Sequence, residues 1–203
     1  MSAGAMVSVL DVLCDRRLKG KHRHMPRKKR DAGPGIHHVV VGATGPSPYF
    51  VDDIDRITWV RFLLKMLAQY KWTCVALCQM TTHVHAIFEV PDESLPIGMH
   101  TLNTAYGKRF NARHDRLGNL LRTRYWSTRM KDDAQLLAAF RYAARNPIRA
   151  GMCERPEDWF WSSFATSCGL ALTFPFVDAS RVLSLLDASP TAPGQALIAL
   201  VRD

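Results

Sequence analysis

The sequence predicts an α+β fold in which an antiparallel sheet carries helices on one face. Three observations predict it. Strand-like and helix-like segments follow one another in the order strand, helix, strand, strand, helix, short strand, helix. The second and third strand-like runs are joined through Thr81-Thr82. The two strand-helix-strand halves then give the ferredoxin-like arrangement.

Residues 1–34 form a basic arm that reads as flexible, closed by Arg27-Lys28-Lys29-Arg30 and the breaker Asp31-Ala32-Gly33-Pro34-Gly35. Ile36–Val41 is a β-rich run, ended by Gly42 and the loop Gly45-Pro46-Ser47-Pro48. Asp52 or Asp53 caps a helix to about Gln69, where Ile54, Ile57, Phe62, Leu64 and Leu67 recur at near-helical spacing. Trp72–Met80 reads as a buried strand and Val84–Val90 as the next one. A helix then runs from about Ile97 to Arg113, with Leu102, Tyr106 and Phe110 on one face. Arg124–Met130 is a short extended segment. Asp132 or Asp133 caps a last helix to Asn146, which Pro147 is expected to end. The globular domain therefore spans 35–170. Residues 171–203, with Pro175, Pro190 and Pro193, read as a lightly structured appendage of unknown role.

The chain has 203 residues, 47% of them hydrophobic, which suits one domain with a real core. Its apolar runs are too short for a membrane helix, and Ala5–Leu13 does not read as a signal peptide. Five cysteines without a CxxC pair argue against a disulfide framework or zinc ribbon and fit a reducing, cytoplasmic setting. The net charge of +9 is concentrated in two blocks, +7 over residues 1–30 and +8 over 101–155, while both remaining stretches are acidic. Such blocks point to a polyanion, with nucleic acid the natural candidate, although basic runs also occur as plain solvated surface.

The sharpest chemical signal is His83-Val84-His85. On a strand, positions i and i+2 share a face, so both imidazoles stand side by side within reach of one divalent metal. An isolated pair of this kind is short and common, and two solvent-facing histidines would look the same. The second signal is the helix holding Tyr142 and Asn146, one turn apart on one face. Asn146 offers a carbonyl oxygen to a metal, and Tyr142 would project beside it. Arg141, Arg145 and Arg149, spaced by four, could line a phosphate track. The alternative is an amphipathic helix with a buried Tyr and an Asn near its end.

Together these segments resemble the IS200-like transposases, and more closely their REP-associated tyrosine branch. The matching residues are His83-Val84-His85 and the Tyr-x-x-x-Asn-Pro-x-x-Ala-Gly pattern from Tyr142 to Gly151. Between them lie Tyr106 to Asn111 and Arg124-Tyr125-Trp126-Ser127; Pro156 to Ser163 follows, and Gly35 to Val39 opens the match. The likeness covers roughly residues 25–170. Thr82 stands where the family usually has Asn, and the loop Gly45-Pro46-Ser47-Pro48 lacks the usual basic residues.

The resemblance implies the HUH endonuclease fold and a single-tyrosine, DNA-nicking and joining transposase. His83, His85 and Asn146 would hold Mg²⁺ or Mn²⁺, with imidazole favouring Mn²⁺ by ligand type. Tyr142 would attack a phosphate of single-stranded or hairpin DNA and form a 5′-phosphotyrosine. Its phenol has a reference pKa of about 10, so the metal and the arginines would have to favour the phenolate. Lys108, Arg109, Arg113, Arg122 and Arg124 would contact phosphates, and Tyr125 or Trp126 would stack on bases, with core packing the stronger alternative for Trp126. The protein would act as a monomer or homodimer. Two other readings compete: a catalytically idle DNA-binding regulator, and a metal-dependent hydrolase of a small substrate. Against the hydrolase, the histidines have only Glu89 as a nearby carboxylate in the sequence.

Overall fold

The computed structural model describes residues 32–43, 47–121, 124–186 and 193–202. Residues 1–31 of the basic arm, Gly45-Pro46 of the first loop and Arg122 lie outside this range. Four strands, β1 (Gly35–Gly42), β2 (Thr73–Gln79), β3 (His83–Val90) and β4 (Trp126–Arg129), form one sheet in the order β2-β3-β1-β4. Every neighbouring pair is antiparallel. Each helical connection, α1 (Asp53–Tyr70) between β1 and β2 and α2 (Leu95–Arg113) between β3 and β4, steps over one strand. This is the ferredoxin-like order that the run of elements predicts.

Two of the long helices start at the first of the two aspartates the sequence offers as caps. The Asp52 carboxylate accepts from the Asp55 N–H at 3.2 Å, and that of Asp132 from the Gln135 N–H at 2.8 Å, which satisfies donors the first turn leaves free.

Helices on one face only is an expectation the structure corrects. Val84, Ala86, Phe88 and Val90 of β3 face a core built with Trp59 and Leu63 of α1 and Leu102, Tyr106 and Phe110 of α2. Ile87, of opposite parity, joins a second core with Leu136, Ala139, Phe140 and Ala144 of α3 (Asp133–Arg149). The third long helix therefore covers the other face. Alternation on β3 sends His83 and His85 to the α3 side with Ile87.

Two further expectations change. Pro147 lies inside α3 and does not end it. A proline one turn from a helix end deletes a single i−4 bond, which the turn survives. The stop comes at Gly151, whose φ of 67° is left-handed. Its N–H bonds the Ile148 carbonyl at 2.9 Å, and the Met152 N–H bonds that of Pro147 at 2.9 Å, the paired pattern that closes helices on glycine. The C-terminal segment is also no loose appendage. After α4 (Phe164–Ser167), the helices α5 (Ser180–Leu183) and α6 (Pro193–Arg202) bring Val182, Leu197 and Val201, all almost fully buried, into the α3-side core. Phe174 enters the opposite core.

The segment 161–163 pairs along the outer side of β2: the Gln79 N–H bonds the Trp161 carbonyl and the Ser163 N–H bonds that of Leu77, both at 2.8 Å. This covers a sheet edge that would otherwise be open. Arg56 locks the strap. Its guanidinium donates to the Gln79 carbonyl at 2.9 Å and lies 5.0–5.6 Å from the rings of Phe50, Trp159 and Trp161.

Candidate active site

β3 and α3 bring His83, His85 and Tyr142 together. The Nε2 atoms of His83 and His85 are 3.0 Å apart. Two nitrogens bound at right angles to one metal, each at about 2.1 Å, would be about 3.0 Å apart, so this separation is a usable bite. The far nitrogens are held by the protein: His83 Nδ1 meets the Thr82 hydroxyl at 3.0 Å, and His85 Nδ1 meets His38 Nε2 at 3.1 Å. Holding one ring nitrogen fixes the direction of the other. Thr82 thus touches the first histidine directly.

His85 is completely buried and His83 half-buried. Burial pushes the His85 pKa well below 6.5, with the neighbouring His83 and His38 adding to the effect. His85 is therefore neutral near pH 7, the form that binds a metal. Among the described residues no group of three His, Cys, Asp or Glu side chains forms a metal cluster. The site offers two imidazoles. In Asn146 the amide nitrogen donates to the Tyr142 carbonyl at 2.8 Å, which leaves the side-chain oxygen as the atom it could offer a metal.

The Tyr142 ring stands edge-on to His85, centroids 5.3 Å apart, and Arg149 places its guanidinium carbon 5.6 Å from the Tyr142 ring centre. Val40 and Trp126 pack against Tyr142 and wall this side. The other two candidate tyrosines are elsewhere. Tyr106 is buried and donates its hydroxyl proton to the Tyr49 carbonyl at 2.6 Å. Tyr125 is also buried, in the core on the α1/α2 side. Sequence reasoning ranked Tyr125 above Trp126 as a stacking platform; the structure reverses that order, because Tyr125 is the core residue and the half-buried Trp126 sits beside the site.

The expected DNA contacts divide into two groups. Lys108 and Arg109 are exposed on α2, and Lys108 lines a groove of about 780 Å³ with Asn103, Asn119 and the exposed Arg124. Arg141, Arg145 and Arg149 belong to α3, on the opposite face of the sheet. Arg113 is committed internally: it pairs with Asp52 at 2.6 Å and with the buried Asp55 at 2.7 Å, and so ties the end of α2 to the start of α1. It is not a free phosphate ligand. His38, which sequence reasoning missed, carried one signal: in the doublet His37-His38 on an apolar strand, only one of the two can share the face of His85.

No protein-family model matches the chain. A curated protein of Haemophilus influenzae named "Putative REP-associated tyrosine transposase" is 26% identical over 121 residues, which covers 51% of this chain and 69% of that one. A solved REP-associated tyrosine transposase bound to a REP hairpin superposes with a TM-score of 0.63 at 16% identity, covering 76% of this chain and 93% of the other. The chain is thus similar in sequence, over about half its length, to one REP-associated tyrosine transposase and similar in fold to another.

Proposed function

We propose that this protein is a metal-dependent transposase that cuts and rejoins single-stranded or hairpin DNA through a covalent 5′-phosphotyrosine on Tyr142. The observation that carries the reading is the convergence of His83 Nε2 and His85 Nε2 at 3.0 Å beside the Tyr142 ring. His83 and His85, with the Asn146 oxygen, would hold Mn²⁺ or Mg²⁺. When bound, such an ion polarises the phosphate oxygens and offsets the charge that develops on them. Tyr142 Oη attacks phosphorus; the Oη–P bond forms as the P–O3′ bond breaks. The phenolic proton is given up and the departing oxygen gains one, leaving a free 3′-hydroxyl. The phosphotyrosine keeps the phosphodiester's energy, so a 3′-hydroxyl reverses the step without ATP. Arg149, over the tyrosine ring, and Arg141 and Arg145 on the same helix supply positive charge for the DNA backbone.

The hairpin substrate is carried over from the solved relative with its REP hairpin and is supported by the basic 101–155 block. Incubation with a labelled hairpin oligonucleotide and Mn²⁺, run on a denaturing gel, tests the reading. A protein–DNA band that EDTA abolishes is expected. Binding without any covalent band would leave the idle regulator as the better account.

A further inference from the structure

We infer that His38 is the positioning residue of the metal site: it holds His85 through Nδ1, so that Nε2 of His85 presents its lone pair toward His83 and the ion. The inference rests on the metal reading proposed above. A neutral imidazole carries one proton. The nitrogen that binds a metal must be bare, so the proton sits on the other nitrogen and needs an acceptor. His85 is fully buried, which leaves water no access. Its Nδ1 meets His38 Nε2 at 3.1 Å.

The fold fixes this pairing. His38 lies opposite Ile87 in the β1–β3 register and so shares the face of His85. The two rings are nearly parallel, 5.3 Å apart at 26°. The edges of Trp126 at 5.5 Å and Tyr142 at 6.1 Å confine His38 from the sides. His38 is not a third ligand, because it reaches the His85 nitrogen remote from His83. Packing alone does not explain it either. Its own Nδ1 is buried without a hydrogen-bond partner, a cost that an apolar side chain of similar size would avoid. What the imidazole adds over such a side chain is the acceptor at Nε2. Thr82 meets His83 in the same way, so both histidines have an outer partner on their own Nδ1.

The test is Mn²⁺ affinity of the DNA-free protein, read from the electron paramagnetic resonance signal of the free ion, for wild type, His38→Phe, His38→Gln and His85→Ala. His38→Phe keeps a flat aromatic ring and removes the acceptor; binding is expected to weaken about 10–100-fold, the usual effect of losing an outer partner. His38→Gln, whose amide oxygen accepts an N–H, is expected to recover part of that loss. In the Mg²⁺-loaded wild type, nitrogen NMR is expected to find the His85 proton on Nδ1. Wild-type affinity in a folded His38→Phe, or a His85 proton on Nε2 with Mg²⁺ bound, would overturn the role of His38. If wild type does not bind Mn²⁺, or His85→Ala binds it equally well, the metal reading itself fails and this inference falls with it.

Discussion

Leu197 has no exposed surface and sits with Val201 in the core formed with Leu136, Ala139 and Phe140 of α3. If α6 is an integral part of the domain, Leu197→Ala must be costly. The change removes about three methylene equivalents at about 0.8 kcal/mol each, and the cavity left behind raises the total to about 3 kcal/mol. For a chain of this size each kcal/mol lowers Tm by about 2–4 °C, so a drop of about 6–12 °C is expected. Thermal unfolding followed by circular dichroism measures it. Leu172→Ala is the control, because Leu172 is 86% exposed; it should stay within about 0.5 kcal/mol of wild type. If Leu197→Ala melts with the control, α6 is not packed on α3 in solution, and the support this segment gives to the Tyr142 helix is refuted.

Gly151→Ala should destabilise by about 1 kcal/mol: a Cβ there meets nothing within 4 Å, so the cost is the left-handed backbone at φ 67° alone; chemical denaturation measures it, and an unchanged midpoint would contradict the helix stop. Acid should destabilise the metal-free protein. Burial lowers the His38 pKa from 6.5 to about 4, so between those values the unfolded chain binds a proton that the folded one refuses. That stability is present above pH 6.5 and is lost as pH falls toward 4, up to about 3 kcal/mol from this residue. Urea midpoints at pH 7 and 4.5 should differ less in His38→Gln than in wild type; an equal difference would contradict the assignment. Affinity for hairpin DNA should fall steeply with salt, as phosphate contacts release counterions; a flat dependence in a filter-binding or anisotropy titration would remove the basic helices from the interface.

The sheet and the meeting of His83 with His85 were legible because they depend on local periodicity. The i, i+2 spacing of His83 and His85 needs only a strand to align them, and a strand is what forms there. The side of the sheet that α3 takes was not legible. β2 is buried on both faces, with Cys74 and Leu77 in one core and Val75 and Ala76 in the other, so its pattern does not say which layer covers which side. Pro147 misled because a proline near a helix end is sterically ambiguous, while the actual stop depends on the dihedrals of Gly151. α6 was hidden by the prolines before it and by its ten-residue length, since a helix that short draws its stability from tertiary packing. The tie of Arg113 to Asp52 and Asp55 spans about sixty residues of sequence, a separation at which charge patterning says nothing. The same holds for His38 and His85, 47 residues apart and joined only by strand register.

The choice of nucleophile is the point on which the account depends most. Tyr142→Phe removes one hydroxyl from a ring packed against Val40 and His85, so folding, Mn²⁺ binding and DNA binding should persist. Tyr106 and Tyr125 are core residues on the other side of the sheet. The decisive measurement is a denaturing gel of Tyr142→Phe, Tyr106→Phe and Tyr125→Phe with one labelled hairpin oligonucleotide and Mn²⁺. The account predicts that the covalent band vanishes in Tyr142→Phe alone and persists in the other two. A band that survives in Tyr142→Phe while either other variant loses it would contradict the assignment of α3 as the catalytic helix.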